Sequence, residues 1–144
     1  MIISTKGRYA LRVMLDLAQH PTDGFIPLQE IAQRQNISRE YLTSILKVLV
    51  QAGLLDSLRG KGGGYRLNRP PEKYAVGMLL RLVEGDLAPV ACVAEDGHCT
   101  GPARCRLYAM WDNLDHLIND YLDGITLADF LGDEVPEKLK PHCR

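Results

Sequence analysis

A chain of 144 residues, 46% of them hydrophobic, can bury one ordinary core and is too short for two large independent domains. Its longest apolar stretches, Val13 to Ala18 and Val76 to Val83, are interrupted well short of the ~20 residues that a membrane span requires. The opening Met-Ile-Ile-Ser-Thr-Lys-Gly-Arg lacks the order of a secretory signal, so a cytoplasmic protein is expected. The formal net charge of −1 hides an asymmetry: residues 1–75 carry 11 Lys/Arg against 6 Asp/Glu, and residues 76–144 carry 6 against 12. A basic half suits a polyanion such as DNA and an acidic half is repelled by it, although scattered solvated charge gives the same totals.

Residues 4–19 place Leu11, Met14, Leu15 and Ala18 at helical spacing behind Ser4 or Thr5 as N-cap. His20-Pro21-Thr22-Asp23-Gly24 is a turn. Residues 27–35 form a short amphipathic helix, and Asn36-Ile37-Ser38 connects it tightly to a second helix over residues 39–51 that Ser38 can cap. Leu42, Ile45, Leu46 and Leu49 share one face of that helix, which turns Arg39, Glu40, Thr43 and Ser44 outward. A short helix, a tight turn and a second helix with a polar leading edge form the helix-turn-helix arrangement, in which the second helix enters the major groove. Many small helical proteins use such a pair as plain core, so the residues that follow have to decide.

Residues 54–59 and 65–68 read as two strands joined by Gly60-Lys61-Gly62-Gly63-Gly64, a hairpin in the position of a wing. Its glycines let the backbone approach phosphates, and Arg59 and Lys61 bring positive charge to the tip. A nucleotide-binding loop is excluded, because Lys61 is followed by Gly62 where a phosphate loop needs Ser or Thr, and the run joins two strands.

After Pro70-Pro71, residues 76–84 are helical again through Val76, Leu79, Leu80 and Val83. Residues 85–104 lose all apolar period and read as loop. From Cys105 onward Leu107, Met110, Trp111, Leu114, Leu117, Ile118, Tyr121 and Leu122 mark a long helix whose stripe needs a partner. In a small chain the partner to expect is a second copy, giving a symmetric dimer through Trp111, Leu114, Ile118 and Tyr121; packing against its own winged domain is the alternative.

Three of the four cysteines lie in the spacing Cys92-x6-Cys99-x5-Cys105, in the loop leading into the long helix. Thiolates in a reducing compartment serve as metal ligands or redox thiols more often than as disulfides, and spacing alone leaves iron-sulfur, zinc and unliganded thiols open. A thiol-dependent enzyme is disfavoured: no cysteine is paired with a base and oxyanion donors.

The chain resembles the Rrf-two family of bacterial winged-helix transcription regulators, the group containing IscR, NsrR and CymR. The resemblance rests on Ser4-Thr5-Lys6-Gly7-Arg8-Tyr9-Ala10-Leu11, Ile31-Ala32, Ile37-Ser38 with Tyr41-Leu42, and Ala52-Gly53-Leu54. It continues through Arg59-Gly60, Gly63-Gly64-Tyr65-Arg66-Leu67, Val83-Glu84-Gly85 and Ile125-Thr126-Leu127-Ala128-Asp129. The residues beyond 130 match no pattern. The resemblance implies a homodimer that binds partly palindromic double-stranded DNA operators as a repressor or dual regulator. The implied DNA contacts are Ser4, Lys6 and Tyr9 at the first helix, Ser38, Arg39, Glu40, Tyr41, Thr43, Ser44 and Lys47 at the recognition helix, and Arg59 and Lys61 in the wing. Members that sense iron-sulfur status or nitric oxide carry three cysteines in this loop, which implies a cluster on Cys92, Cys99 and Cys105, [2Fe-2S] before [4Fe-4S]. A zinc or thiol redox switch on the same scaffold is the alternative.

Two departures accompany the resemblance. The first gap, six residues, is one longer than in IscR-like members. Where those members place a histidine ligand, three residues after the last cysteine, this chain has Tyr108, so the fourth ligand is open among Tyr108, His98 and Asp96. His98 adjoins Cys99, and two adjacent residues seldom reach one metal ion together. His20, His116 and His142 read as ordinary surface histidines, and Cys143 lies in a tail expected to fray. The expected fold is mainly α with a small β-hairpin wing. Residues 1–85 form the winged helix-turn-helix domain, 86–104 the sensor loop, 105–130 the dimerisation helix with a short helix, and 131–144 the tail.

Overall fold

The computed structural model describes residues 3–97 and 105–141. Its helices are α1 (Thr5–Gln19), α2 (Leu28–Gln35), α3 (Arg39–Gln51), α4 (Val76–Glu84) and α5 (Tyr108–Asp123), with strands β1 (Leu55–Leu58) and β2 (Gly64–Leu67) between α3 and α4. Sequence signals account for the boundaries. Ser4 and Ser38 cap α1 and α3 by accepting from Gly7 N and Tyr41 N. Asn36, at φ 52°, ends α2 in the left-handed conformation that asparagine tolerates, and Gly53 follows α3 at φ 72°.

The main core lies where α1 crosses α2, α3 and α4. Val13, Met14, Ile31, Leu42, Ile45, Leu46, Leu49 and Leu79 are fully shielded from solvent there. The two strands pair antiparallel, Leu55 opposite Leu67 and Leu58 opposite Gly64. The hairpin is pinned to the body by a two-way bridge with Ile26, both N–O distances being 2.9 Å. Gly64 is required at this junction: with φ 152°, a Cβ would stand 2.0 Å from the Ile26 carbonyl oxygen. Tyr74, fully buried, ties the strand ends together by donating to Leu54 O at 2.8 Å and accepting from Asn68 N at 3.1 Å.

Beyond α5 the chain returns to the winged domain. Val76 N donates to Ile125 O, Leu127 N donates to Tyr74 O, and Leu127 is buried in the main core. The segment 125–130, grouped by sequence with the dimerisation helix, is therefore part of the body. Val76, Leu80, Leu87 and Ile125 form a second small apolar cluster. The tail docks on it through Leu139, while Lys138 Nζ donates to Gly124 O at 2.8 Å and pairs with Asp129 at 2.7 Å.

Candidate nucleic-acid interface and sensor loop

Burying Leu42, Ile45, Leu46 and Leu49 turns the opposite face of α3 to solvent, and Arg39, Glu40, Thr43, Ser44 and Lys47 are all exposed, as their spacing predicts. The Thr43 hydroxyl donates to Arg39 O and the Ser44 hydroxyl to Tyr41 O, each at 2.7 Å, which leaves both oxygens facing outward as acceptors. Tyr41 is half-buried, its ring edge-on to Tyr9 at 5.8 Å, and Arg12 stacks over Tyr9 at 5.1 Å. A groove of about 690 Å³ runs between α3, the start of α2 and the hairpin, lined by Thr43, Lys47, Gln51, Ser57, Arg59 and Gly60 among others. Arg59 and Lys61 are exposed on the tip, where Gly60 and Gly62 take φ 88° and 74° and Gly63 N closes the turn onto Gly60 O. Gln51 and Ser57 were missing from the residues predicted by sequence. They reach the groove because the hairpin folds back along α3, a pairing between elements that neither local pattern encodes.

Ser4 has a structural role that its sequence motif does not reveal. Its hydroxyl donates to Glu84 Oε1 at 2.6 Å and its backbone N–H to the same oxygen at 3.0 Å, so the last residue of α4 holds the start of α1. Gly7 permits this approach, since a Cβ there would sit 2.1 Å from Glu84 Oε1. Lys6 stands half-exposed on the same turn. A second tie fixes α2 against α1: the fully buried Asp16 carboxylate accepts from Arg34 Nε at 2.9 Å, Arg34 Nη2 at 2.7 Å and Gln35 Nε2 at 2.9 Å. Burial alone raises the Asp16 pKa, but the Arg34 and Gln35 hydrogen bonds and the Arg34 charge outweigh it and hold the carboxyl below its ordinary range.

After α4, the segment 85–97 contains a 3₁₀ turn, Ala91–Val93, that rests on α5. Cys92 is the middle residue of this turn, and Cys105 leads into α5, its carbonyl accepting from Tyr108 N at 3.2 Å. Both thiols are free and half-buried. Tyr108 is exposed on the first residue of α5, and Asp96 is exposed in the loop. Cys99 and His98 lie outside the described residues, as do His142 and Cys143. Among the described residues no three His, Cys, Asp or Glu side chains converge on one point. Between this segment, α4 and α5 lies a cleft of about 900 Å³, bridged by Arg81, which donates to Asn119 Oδ1 at 2.7 Å and pairs with Asp123.

α5 divides its apolar residues between two faces. Trp111, Ile118 and Leu122 are half-buried, Leu122 against the second apolar cluster, while Met110, Leu114, Leu117 and Tyr121 form an exposed stripe, Leu117 being 67% accessible. Of the residues assigned to a dimer seam, Leu114 and Tyr121 sit on the stripe and Trp111 and Ile118 flank it. Met110 and Leu117 belong with the first pair. Both were visible in the helical repeat, but the repeat does not say which side the body covers. Among the described residues no helix is long and apolar enough to cross a membrane.

Comparison with known proteins places this architecture. The profile of the Rrf2 (Rrf-two) family, described as an iron-dependent transcriptional regulator, matches residues 3–133. The chain is 41% identical over 139 residues to the HTH-type transcriptional regulator IscR of Aliivibrio salmonicida, covering 96% of this chain and 82% of that protein. It superposes on T. potens IscR with a TM-score of 0.74 at 36% identity, covering 99% of this chain and 94% of that one. CymR, the global cysteine regulator of B. subtilis, superposes with a TM-score of 0.78 at 34% identity, covering 91% and 96% of the two chains. These relatives regulate transcription and are not enzymes, and their mainly helical fold with a two-stranded wing is the one described here. The chain belongs to the Rrf2 family of DNA-binding, winged-helix transcription regulators.

Proposed function

We propose that this protein is a cytoplasmic homodimer that recognises a partly palindromic operator and whose affinity for it is set by an iron-sulfur cluster on Cys92, Cys99 and Cys105. The observation that carries the reading is the position of two free, half-buried thiols. Cys92 and Cys105 bracket the segment between α4, which is bound to the start of α1 through Glu84 and Ser4, and α5. The donor set fits: thiolates are the ligands that iron-sulfur clusters prefer, and a glycine-containing loop can wrap them around a small inorganic core. When bound, a cluster supplies redox-sensitive cross-linking of the loop. The reading keeps [2Fe-2S] ahead of [4Fe-4S], as the family resemblance implies, with the fourth position open among Tyr108, His98 and Asp96.

Operator recognition is assigned to the exposed face of α3. Arg39, Glu40, Tyr41, Thr43 and Ser44 meet base edges in the major groove, with Ser38 and Lys47 at their margins. Lys6 and Tyr9 at α1, and Arg59 and Lys61 in the wing, meet the backbone or a narrow minor groove, while Ser4, whose hydroxyl and N–H both donate to Glu84, positions the turn that carries Lys6. The exposed α5 stripe pairs with its copy, because leaving four large apolar side chains in water forgoes about 2 kcal/mol each. The likeness to CymR, a global cysteine regulator, favours a thiol switch on the same scaffold as the second reading, with zinc in place of the cluster as its variant.

Anaerobic purification followed by a visible spectrum separates the readings: charge-transfer bands for iron-sulfur, no colour for zinc or free thiol. Replacing Cys92, Cys99 and Cys105 together by Ala should abolish iron binding and change operator affinity by a limited factor. A ligand shifts an equilibrium only by its differential affinity for the two arrangements. Retained iron removes the assigned ligands, and equal affinity of loaded and empty protein across candidate operators removes the switch.

A further inference from the structure

One carboxylate closes the segment that carries Cys92. Asp86 accepts from Ala88 N through Oδ1 at 2.8 Å and from Glu95 N through Oδ2 at 3.3 Å, so the same side chain fastens both ends of residues 88–95. The first bond alone would be an ordinary local turn. The second spans nine residues and has no local explanation. Three neighbours hold the frame in which Asp86 works. Leu87 is sunk to 1% exposure in the second apolar cluster, which anchors the start of the segment to α4. Gly97 N donates to Ala94 O at 2.8 Å, and a Cβ on Gly97 would lie 2.1 Å from Ala91 O, so the far end is packed backbone to backbone. The turn Ala91–Val93 in between rests on α5.

We propose that Asp86 is a positioning residue for the sensor: it holds residues 88–95 in the shape that presents Cys92 against α5, the helix into which Cys105 leads. The thiols are then preorganised before an inorganic core arrives, and less ordering has to accompany binding. The charge suits the task, since an ionised carboxylate is the strongest side-chain acceptor available for two backbone N–H groups at once. The proposal rests on the reading of Cys92 as a ligand.

The test uses Asp86→Ala and Asp86→Asn in the full chain. In the metal-free protein, amide hydrogen exchange at Ala88 and Glu95 should rise about tenfold in Asp86→Ala. It should rise less in Asp86→Asn, whose side chain keeps one acceptor oxygen, and exchange within α1 to α3 should stay at the wild-type rate. After anaerobic loading with iron and sulfide, Asp86→Ala should lose its visible bands and its iron several-fold faster than wild type. Unchanged exchange at both amides shows that the carboxylate does not hold the segment and overturns the proposal. Faster exchange with an unchanged cluster lifetime overturns it as well, since the restraint would then be structural only. A triple cysteine variant that still binds iron, or a wild-type chain that loads none, refutes the ligand reading itself, and Asp86 loses its role with it.

Discussion

Arg59 and Lys61 stand on the same hairpin tip, but they differ in what surrounds them. Lys61 lies between Gly60 and Gly62, both at positive φ, so its ammonium can reach a phosphate with little backbone in the way. Changing Lys61 to Ala should weaken binding to every duplex alike and reduce the slope of log affinity against log salt by about one; titration against specific and random DNA at several salt concentrations checks this, and an unchanged slope would place the lysine away from the phosphates. Asp16 gives a prediction of a different kind. Its folded carboxyl is held below its ordinary range, so the stability it contributes is present above the unfolded carboxylate pKa, about 3.9, and is lost as the pH falls through the folded value. Replacing Asp16 with Asn should cost about 2 kcal/mol at pH 7 and flatten the acid limb of the stability curve. Urea unfolding at pH 7 and pH 3 measures both, and an acid limb as steep as wild type would mean that Asp16 does not carry it.

At the scale of elements, α5 is where sequence and structure inform each other most. Its apolar repeat is divided: one face packs on α4 and the turn Ala91–Val93, as the alternative of packing within the chain expects, and the other stays exposed. An exposed stripe of this kind marks an interaction surface. Leu117→Asp should leave the protomer folded, because Leu117 is 67% accessible within its own chain, and on the proposed pairing it should be monomeric at low micromolar concentration where the wild type is dimeric. Sedimentation reads the outcome, and a persistent dimer would move the interface elsewhere. The short tail element Glu137–Leu139 has a complementary effect. Lys138 bonds the last turn of α5 and Asp129 together, which holds the exit of α5 against the body that carries α3.

At the scale of the whole molecule, the proposed homodimer has the chain between α4 and α5 connecting the operator-reading body to the helix that would pair two copies. The distance between two recognition helices is the quantity that an operator with fixed half-site spacing reads. On the cluster reading proposed above, a tether across Cys92, Cys99 and Cys105 would act on that distance through the angle at which α5 follows Cys105. Glu84, the last residue of α4, holds Ser4, 80 residues away in sequence, and so ties α4 to the start of α1.

The local code was legible almost to the residue. α3 and α4 begin and end where apolar period, caps and breakers put them, and the hairpin follows its glycines, because those signals act within a few residues and need no partner. The motifs that carry the family resemblance are of the same local kind. Contacts between distant segments were not legible. Ser4 meeting Glu84, Asp86 reaching Glu95, Leu127 entering the main core and Leu139 the second cluster all depend on how separately formed elements meet. The division of α5 into a covered face and an open stripe is of the same origin. A helical repeat fixes which residues share a side, and only the packing of α4, the 3₁₀ turn and α5 decides which side stays open.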